Sequence, residues 1–208
     1  MSSNTQTATK FTGKNNIRTM VQIGMLGAVA MILMSFEIPL WFAPPFYKID
    51  LSELPVMIGC FAMGPAAGAL IEFVKVILHM AIRGTTTAGV GDLANFLIGC
   101  ALIVPAGLIY KKVRTKKGAM IGMTVGTIVM TVLGCVINAW ILLPFYATAS
   151  GMPLDALIQM GTAINAGIQD IFTFVMFAVA PFNILKGVLV SVLTLLLYKN
   201  IRPILQRA

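Results

Sequence analysis

The chain has 208 residues, of which 58% are hydrophobic and 11% charged, with a net charge of +8 and a mean hydropathy of +0.91. At this length and hydropathy little room remains for a soluble domain, so the composition predicts one integral membrane domain of five to seven helices. The basic residues flank apolar segments, where they set orientation in the membrane, and we therefore expect no nucleic-acid partner.

Eleven of the fifteen Lys and Arg residues fall in three clusters, and no acidic residue lies within them. The clusters are Lys10, Lys14 and Arg18; Lys111, Lys112, Arg114, Lys116 and Lys117; and Lys199, Arg202 and Arg207. Because Lys and Arg near span ends face the cytoplasm, all three clusters belong on that side of the membrane. This requires an even number of spans between them.

The first half of the chain predicts three spans after a disordered cytoplasmic N-terminus over residues 1–16. The spans cover residues 17–38, 52–63 and 66–82. A loop rich in proline and aromatic residues, 39–50, follows the first span, and its prolines exclude helix. Gly64–Pro65 predicts a tight cytoplasmic turn between the second and third spans.

The second half predicts three more spans within the membrane domain of residues 17–200, before a basic cytoplasmic tail at 201–208. These spans cover 92–110, 118–143 and 181–198, with Pro144 ending one and Pro181 starting the last. Residues 150–177 mix polar and apolar side chains, which is typical of an amphipathic helix on the outer surface. A seventh span there would place the C-terminal cations outside. The sequence thus predicts an all-α membrane protein of six spans with both termini in the cytoplasm.

Polar side chains inside the spans are costly and point to function. Glu72, Lys75 and His79 share one face of the third helix, and Asn183 with Lys186 would lie in the first turn of the last span. Asn95 and Asn138 complete the set. We expect these residues to form a polar pocket that opens outward. The alternative is that Glu72 and Lys75 only neutralise each other and that the Asn residues join helices by hydrogen bonds.

No group of residues indicates an enzyme. Cys60, Cys100 and Cys135 lie singly in apolar runs and are interpreted as buried small side chains. One histidine cannot form a zinc site, and no phosphate-binding loop for ATP is present. The sequence therefore predicts a binding subunit without metal or cofactor, whose energy comes from a partner.

Three motifs resemble the substrate-binding S components of energy-coupling factor (ECF) vitamin transporters. They are Tyr47-Lys-Ile-Asp-Leu-Ser-Glu-Leu-Pro-Val-Met-Ile-Gly59 followed by Gly64-Pro-x-x-Gly68, then Gly91-Asp-Leu-Ala-Asn-Phe96, and Ala180-Pro-Phe-Asn-Ile-Leu-Lys-Gly187. The last two are similar to the riboflavin-specific branch in particular. The resemblance implies a multi-pass protein of the prokaryotic plasma membrane, whose partners are membrane lipid, a membrane T subunit and two ECF A ATPases. It also implies that riboflavin is a transported ligand rather than a cofactor.

The resemblance also assigns residues to roles. Asn183 and Lys186 would bind the flavin ring, and Glu72, Lys75, Asn95 and Asn138 are candidates for the ribityl hydroxyls. The loop from Trp41 to Tyr47 would cover the ring. Gly24 and Ala28 match an Ala-x-x-x-Ala motif that contacts the T subunit, although Gly-x-x-x-Ala also occurs where helices of one chain meet. The alternatives are an S component for another vitamin and a membrane scaffold or small enzyme unrelated to transport.

Overall fold

The computed structural model describes residues 13–44, 47–85, 89–151 and 153–205. The helices are α1 (Gly13–Met34), α2 (Glu53–Met63), α3 (Pro65–Arg83), α4 (Val90–Lys112), α5 (Lys116–Ile137), α6 (Leu143–Ser150), α7 (Leu154–Thr162), α8 (Ile171–Phe174) and α9 (Ala180–Leu205). Two short strands, β1 (Ile38–Pro39) and β2 (Lys48–Ile49), pair antiparallel between α1 and α2. The prediction of a mainly helical membrane protein is confirmed.

Within the described residues, five helical segments are long and apolar enough to cross a membrane. They cover Ile17–Met34, Pro65–Arg83, Val90–Lys112, Lys116–Ala149 and Ile171–Leu197. The predicted span at 52–63 is an apolar helix of only 11 residues, about 16 Å long at 1.5 Å per residue. Since the hydrocarbon core is about 30 Å thick, α2 does not cross it alone.

Two span boundaries predicted from prolines are wrong. Pro144 does not end a helix, because α5 continues through a π-helical turn at Asn138–Leu142 into α6. Pro181 does not start one, because a second π-helical turn, Val175–Val179, joins α8 to α9. A proline removes one backbone hydrogen bond from a helix, and in both places a wider turn lies just before it. The helices therefore continue through their prolines.

The last membrane helix starts ten residues earlier than its proline suggested, at Ile171. Asp170 is the N-cap, and its carboxylate accepts a hydrogen bond of 2.7 Å from the backbone N–H of Thr173. Thr173 reaches back to the N-cap backbone, which completes a capping box. These hydrogen bonds lower the pKa of Asp170. The segment 150–177 is therefore split: its first part forms the short helix α7, and its end belongs to the last span.

The other segment ends differ by a few residues from the prediction. α1 begins at Gly13, within the segment predicted to be disordered, and ends at Met34 rather than 38. Residues 1–12 and 206–208 lie outside the described residues, and α9 extends through most of the predicted tail, to Leu205. The predicted turn after α2 is confirmed: Gly64 has φ +101°, which favours glycine, and Pro65 starts α3.

The helices separate two polar regions at opposite ends of the molecule. Between them lies a core of buried apolar side chains from α1 to α5 and α9, including Val56, Ile71, Leu102, Met123 and Val190. The start of α1, the Gly64–Pro65 turn and the end of α4 meet at one end. The loop between the strands, the end of α3 and the start of α4 meet at the other end. We refer to these as the basic end and the loop end.

Candidate ligand-binding site

A cavity of about 500 Å³ opens at the loop end. Its walls come from the ends of α1 and α3, the starts of α2 and α4, and the middle of the two long helical segments that carry π-helical turns. The size is in the range of small-molecule sites. π-Helical turns are also common at functional sites. The turn at Asn138–Leu142 contributes both of its end residues to the cavity, and the turn at Val175–Val179 comes three residues before the lining residue Phe182.

Lys75 lies beneath the cavity and is fully buried. Its Nζ is 2.5 Å from Glu72 Oε1, 3.0 Å from Glu53 Oε1, and 3.3 Å from both Ser52 Oγ and Asn95 Oδ1. An ammonium group has three hydrogen-bond donors, and four acceptors surround this one. Lys75 therefore has no donor left for a ligand, and it ties α2, α3 and α4 together at the base of the cavity.

Lys186 forms the second centre of the same ion network. Its Nζ is 3.3 Å from Asp50 Oδ2 and 3.4 Å from Glu53 Oε1. Glu53 thus lies between the two lysines, and the network holds three carboxylates against two ammonium groups. Lys186 also lines the cavity. With two protein acceptors for three donors, it keeps one N–H for a ligand.

Asp50 precedes α2 and lies outside the membrane-spanning segments. Burial alone would raise the pKa of its carboxyl group, but Lys186, Lys75 and hydrogen bonds from Ser52 outweigh burial and lower that pKa to about 2. The depressed pKa means that the pairing stabilises the fold above the ordinary pKa of an aspartate. That stabilisation is lost only as the pH falls towards 2. Asp50 is therefore charged at neutral pH and holds Lys186 in place.

Two asparagines, Asn138 and Asn183, also line the cavity. Asn138 Nδ2 donates to Gly134 O at 2.8 Å, and its Oδ1 accepts 2.6 Å from the Tyr47 hydroxyl. Asn183 Nδ2 donates to Val179 O at 2.9 Å, which directs its Oδ1 away from that carbonyl. A Cβ at position 134 would lie 2.8 Å from Asn183 Nδ2, so glycine is required for this approach. Tyr47 and Asn138 thereby join the loop to the π-helical turn that follows α5.

The structure brings together most of the residues predicted for the site. Tyr47, Asn95, Asn138, Asn183 and Lys186 line the cavity. Glu72 and Lys75 are fully buried beneath it and reach it through Asn95 and Glu53. Trp41 does not line it, and its side chain is 89% exposed. Asn183 and Lys186 lie well inside the last helical segment rather than in its first turn, because that segment begins at Ile171.

Comparison with known proteins agrees with this architecture. Residues 18–198 match the sequence model of the family described as "ECF transporter, substrate-specific component". The chain belongs to the S components of ECF transporters. It is 31% identical to the riboflavin transporter FmnP of Bacillus subtilis (strain 168), covering 90% of this chain and 93% of that protein. It is 32% identical to the riboflavin transporter RibU of Staphylococcus aureus (strain TCH60), covering 91% and 93%.

A solved structure shows the same fold. It comes from work entitled "Structure and mechanism of the S component of a bacterial ECF transporter", and the match has a TM-score of 0.72 at 31% identity. It covers 91% of this chain and 98% of that one. Both the sequence and the fold of the relatives thus extend over nearly the whole of this S component.

Sequence reasoning missed two acidic residues of the S component's site, Asp50 and Glu53. Both lie within the quoted motif that starts at Tyr47, yet no role was assigned to them. A usable signal was present: Lys186 in an apolar helix needs a counter-ion, and the chain has only seven acidic residues to supply one. The contact joins residues 136 positions apart, so spacing along the chain could not identify the partner.

A contact between His79 and Asp92 in the cavity wall was also missed. His79 Nδ1 lies 3.2 Å from Asp92 Oδ1, and both residues line the cavity. Helical spacing places His79 on the same face as Glu72 and Lys75, but it does not connect that face with Asp92, the first residue of the next predicted span. Among the described residues, no three His, Cys, Asp or Glu side chains are arranged to hold a metal ion.

Small residues on α1 of the S component divide between two faces. Gly27 faces inward, and a Cβ there would lie 2.5 Å from Val74 Cγ1 of α3. Gly24 is exposed with nothing within 4 Å of its Cβ position, and Ala28 is half-buried. The inward face therefore packs within the chain, whereas Gly24 and Ala28 leave a shallow groove on the outside of the helix.

Proposed function

We propose that this S component binds riboflavin at the loop end and delivers it into the cell together with a membrane T subunit and two ATPases. The observation that carries the proposal is the coincidence of a cavity of about 500 Å³, lined by Asn183 and Lys186, with nearly full-length similarity to proteins named riboflavin transporters. The chain contributes binding, and its partners contribute the energy of ATP hydrolysis.

The proposed topology has six membrane-embedded helical segments, with α2 as the short one, and both termini in the cytoplasm of a prokaryotic cell. Its support is the charge distribution. Arg18 at the start of α1 and Lys111 and Arg114 at the end of α4 meet at one end of the molecule. Because basic residues near span ends face the cytoplasm, the cavity at the loop end faces outward.

The polar groups of the cavity suit the flavin ring. The pyrimidine edge of the ring carries carbonyl oxygens and an N–H, which require both donors and acceptors. Asn183 supplies an amide oxygen, and Lys186 supplies one free N–H and a positive charge. Phe182 and Tyr47, whose ring centroids are 5.3 Å apart, supply apolar surface for the flat ring.

Asn95 and Asn138 are proposed to bind the ribityl hydroxyls directly, since both line the cavity. Glu72 and Lys75 have a different part in this proposal. They support the site from beneath, because neither lines the cavity and the ammonium of Lys75 is already surrounded by acceptors. The ligand therefore contacts the asparagines and Lys186, and the buried network fixes their positions.

The direct test is a fluorescence titration with the purified protein. Riboflavin that enters an aromatic-lined cavity should lose fluorescence, and protein from a riboflavin-containing host should be yellow. Asn183→Ala and Lys186→Ala should each weaken binding by about 1–3 kcal/mol, the cost of a buried polar group left without a partner. A colourless protein that leaves riboflavin fluorescence unchanged would disprove riboflavin binding.

Lys48→Ala is the matched control for Lys186→Ala. Lys48 also lines the cavity, but its ion pair with Glu37 is exposed, at 44% and 36% of the two side chains. Exposed pairs contribute little, so riboflavin affinity should stay close to that of the wild type. Equal losses in Lys48→Ala and Lys186→Ala would indicate a general effect of positive charge rather than a contact of Lys186.

The loop between β1 and β2 is proposed to act as a lid. Tyr47 is buried and bonded to Asn138, whereas Trp41, near the other end of the loop, is exposed. Riboflavin should therefore slow backbone hydrogen exchange in residues 40–49, because the ligand adds contacts on the inner side of the loop. Exchange measured by mass spectrometry with and without ligand checks this. Helix α7, which does not line the cavity, is the internal control. Unchanged exchange in 40–49 would mean a static loop.

A further inference from the structure

A second cavity, of about 550 Å³, lies at the basic end of the molecule. It is bounded by the start of α1, the turn at Gly64–Pro65 and the end of α4. Three cationic side chains, Arg18, Lys111 and Arg114, line it. No role in riboflavin binding involves this cavity, since the loop-end site lies at the opposite end.

In the part of the chain that the structure describes, no acidic side chain lies near the three cations. All seven acidic residues of the chain lie elsewhere: Glu37, Asp50, Glu53, Glu72, Asp92, Asp155 and Asp170. The first five line the loop-end cavity or lie beneath it, and the last two belong to α7 and the start of α8. In the described part of the chain, Arg18, Lys111 and Arg114 form no ion pair. Three uncompensated cations around one cavity favour an anionic ligand.

The remaining walls suit a phosphate group. The first turn of the 19-residue helix α3 borders the cavity at Pro65 and Ala66. A helix start carries free backbone N–H groups and a partial positive charge, which favour phosphate. Because proline has no N–H, Ala66 is the lining residue of this turn that supplies a backbone donor. Gln22 adds an amide donor, and Phe61 and Tyr110, stacked with ring centroids 4.3 Å apart, form an apolar wall. The cavity thus combines cations, N–H donors and apolar surface.

An apolar path leads from the cavity along α1. Val21 and Met25 follow Arg18 at i+3 and i+7, which places the three on one helix face. Val21 is 56% exposed and Met25 is 65% exposed. A lipid whose headgroup sits beside Arg18 can therefore lay an acyl chain over exposed methyl and thioether groups. A soluble phosphate compound has no acyl chain that could cover these exposed side chains.

We propose that the basic-end cavity binds the phosphate of an anionic phospholipid, held by Arg18, Lys111 and Arg114, with an acyl chain along α1. Basic pockets between membrane helices on the cytoplasmic side bind such headgroups. A soluble phosphate ester shares the headgroup chemistry, and an acidic segment of a partner protein would share only its charge. The exposed path along α1 favours the lipid.

The test uses the full chain in detergent, with phosphatidylglycerol as the anionic probe and phosphatidylcholine as the zwitterionic one. Native mass spectrometry or a lipid titration followed by thermal stabilisation measures binding. The wild type should prefer phosphatidylglycerol, and Arg18→Gln/Arg114→Gln should weaken that binding by about tenfold or more, because each cation near a lipid surface contributes a severalfold gain. The control variant Lys116→Gln/Lys117→Gln changes the net charge equally, at exposed residues that do not line the cavity, and should bind like the wild type.

The other results would overturn the proposal. Equal loss in the control variant would mean attraction to the basic surface in general. Displacement of the lipid by millimolar glycerol 3-phosphate would mean a site for a soluble phosphate ester. Equal binding of both lipids in the S component alone, with protection of Arg18 only in complex with the partner subunits, would mean a protein-docking site. Because Arg114 is exposed and follows α4, the single variant Arg114→Gln provides the test if the double variant does not fold.

Discussion

Lys75→Met is expected to lower the free energy of unfolding by about 3–5 kcal/mol, the usual cost of removing one partner from a buried ion pair. The substitution keeps a long unbranched side chain but deletes the ammonium group between Glu53 and Glu72, at 3.0 Å and 2.5 Å. All three side chains are at most 1% exposed, so water cannot compensate the two carboxylates. Thermal and denaturant unfolding of the purified protein in detergent measures the loss.

A second substitution tests whether the loss comes from an unpaired charge. Every described polar contact of Glu72 is with Lys75, so Lys75→Met/Glu72→Gln removes one uncompensated charge and should recover part of the stability. Lys48→Met is the control, because the pair of Lys48 with Glu37 is exposed and should change stability by less than about 1 kcal/mol. If Lys75→Met were as stable as Lys48→Met, the network at the base of the cavity would contribute nothing to folding.

Ala28→Trp is expected to reduce riboflavin uptake by cells to background while leaving riboflavin binding by the isolated protein close to that of the wild type. Gly24 and Ala28 form a shallow groove on the outer face of α1, and small residues at this spacing let a second helix approach closely. An indole ring in the groove would hold the proposed T subunit away. The cavity lies at the loop end, so the affinity for riboflavin should not change. Uptake of labelled riboflavin in cells producing the complete transporter, and titration of the purified variant, measure the two effects.

Two matched substitutions on the same helix sharpen this test. Val29→Trp lies outside the groove on a position that is 47% exposed and should support uptake. Gly27→Trp points into α3, where even a Cβ would lie 2.5 Å from Val74 Cγ1, and should abolish folding and uptake together. If Ala28→Trp behaved like Gly27→Trp, the groove would belong to the chain's own packing. If it behaved like Val29→Trp, the T subunit would dock elsewhere.

The sequence was sufficient to predict a mainly helical membrane protein, because that information was local. Apolar runs predicted membrane helices, and Gly64–Pro65 predicted the turn between α2 and α3, since both depend on neighbouring residues. The polar residues inside the spans also identified four cavity-lining side chains, Asn95, Asn138, Asn183 and Lys186, because a buried amide or ammonium is too costly to be placed without a reason. The membrane helices, the turn and the polar residues of the site could therefore be predicted from the residues themselves.

The rest depended on contacts between distant segments. The pairing of Lys186 with Asp50 requires the last helix to meet the segment before α2, and no spacing rule connects them. The side chain of Trp41 was predicted to cover a ligand because aromatic residues cluster in its loop, yet it is exposed and does not line the cavity. Pro144 and Pro181 were interpreted by the usual preference of proline for helix ends, and the π-helical turns that accommodate them leave no simple sequence signature.

Each π-helical turn changes the direction in which the later side chains of the same helix point. A π-helical turn inserts one residue, so everything after it is rotated by roughly 100° relative to an unbroken α-helix of 3.6 residues per turn. Asn183 and Lys186 follow the turn at Val175–Val179. A helical wheel drawn from Ile171 without a break therefore assigns both side chains to the wrong sector. The π-helical turn therefore determines which side chains of the last helix face the cavity. If the same residues formed a regular α-helix, Asn183 and Lys186 would point in a different direction.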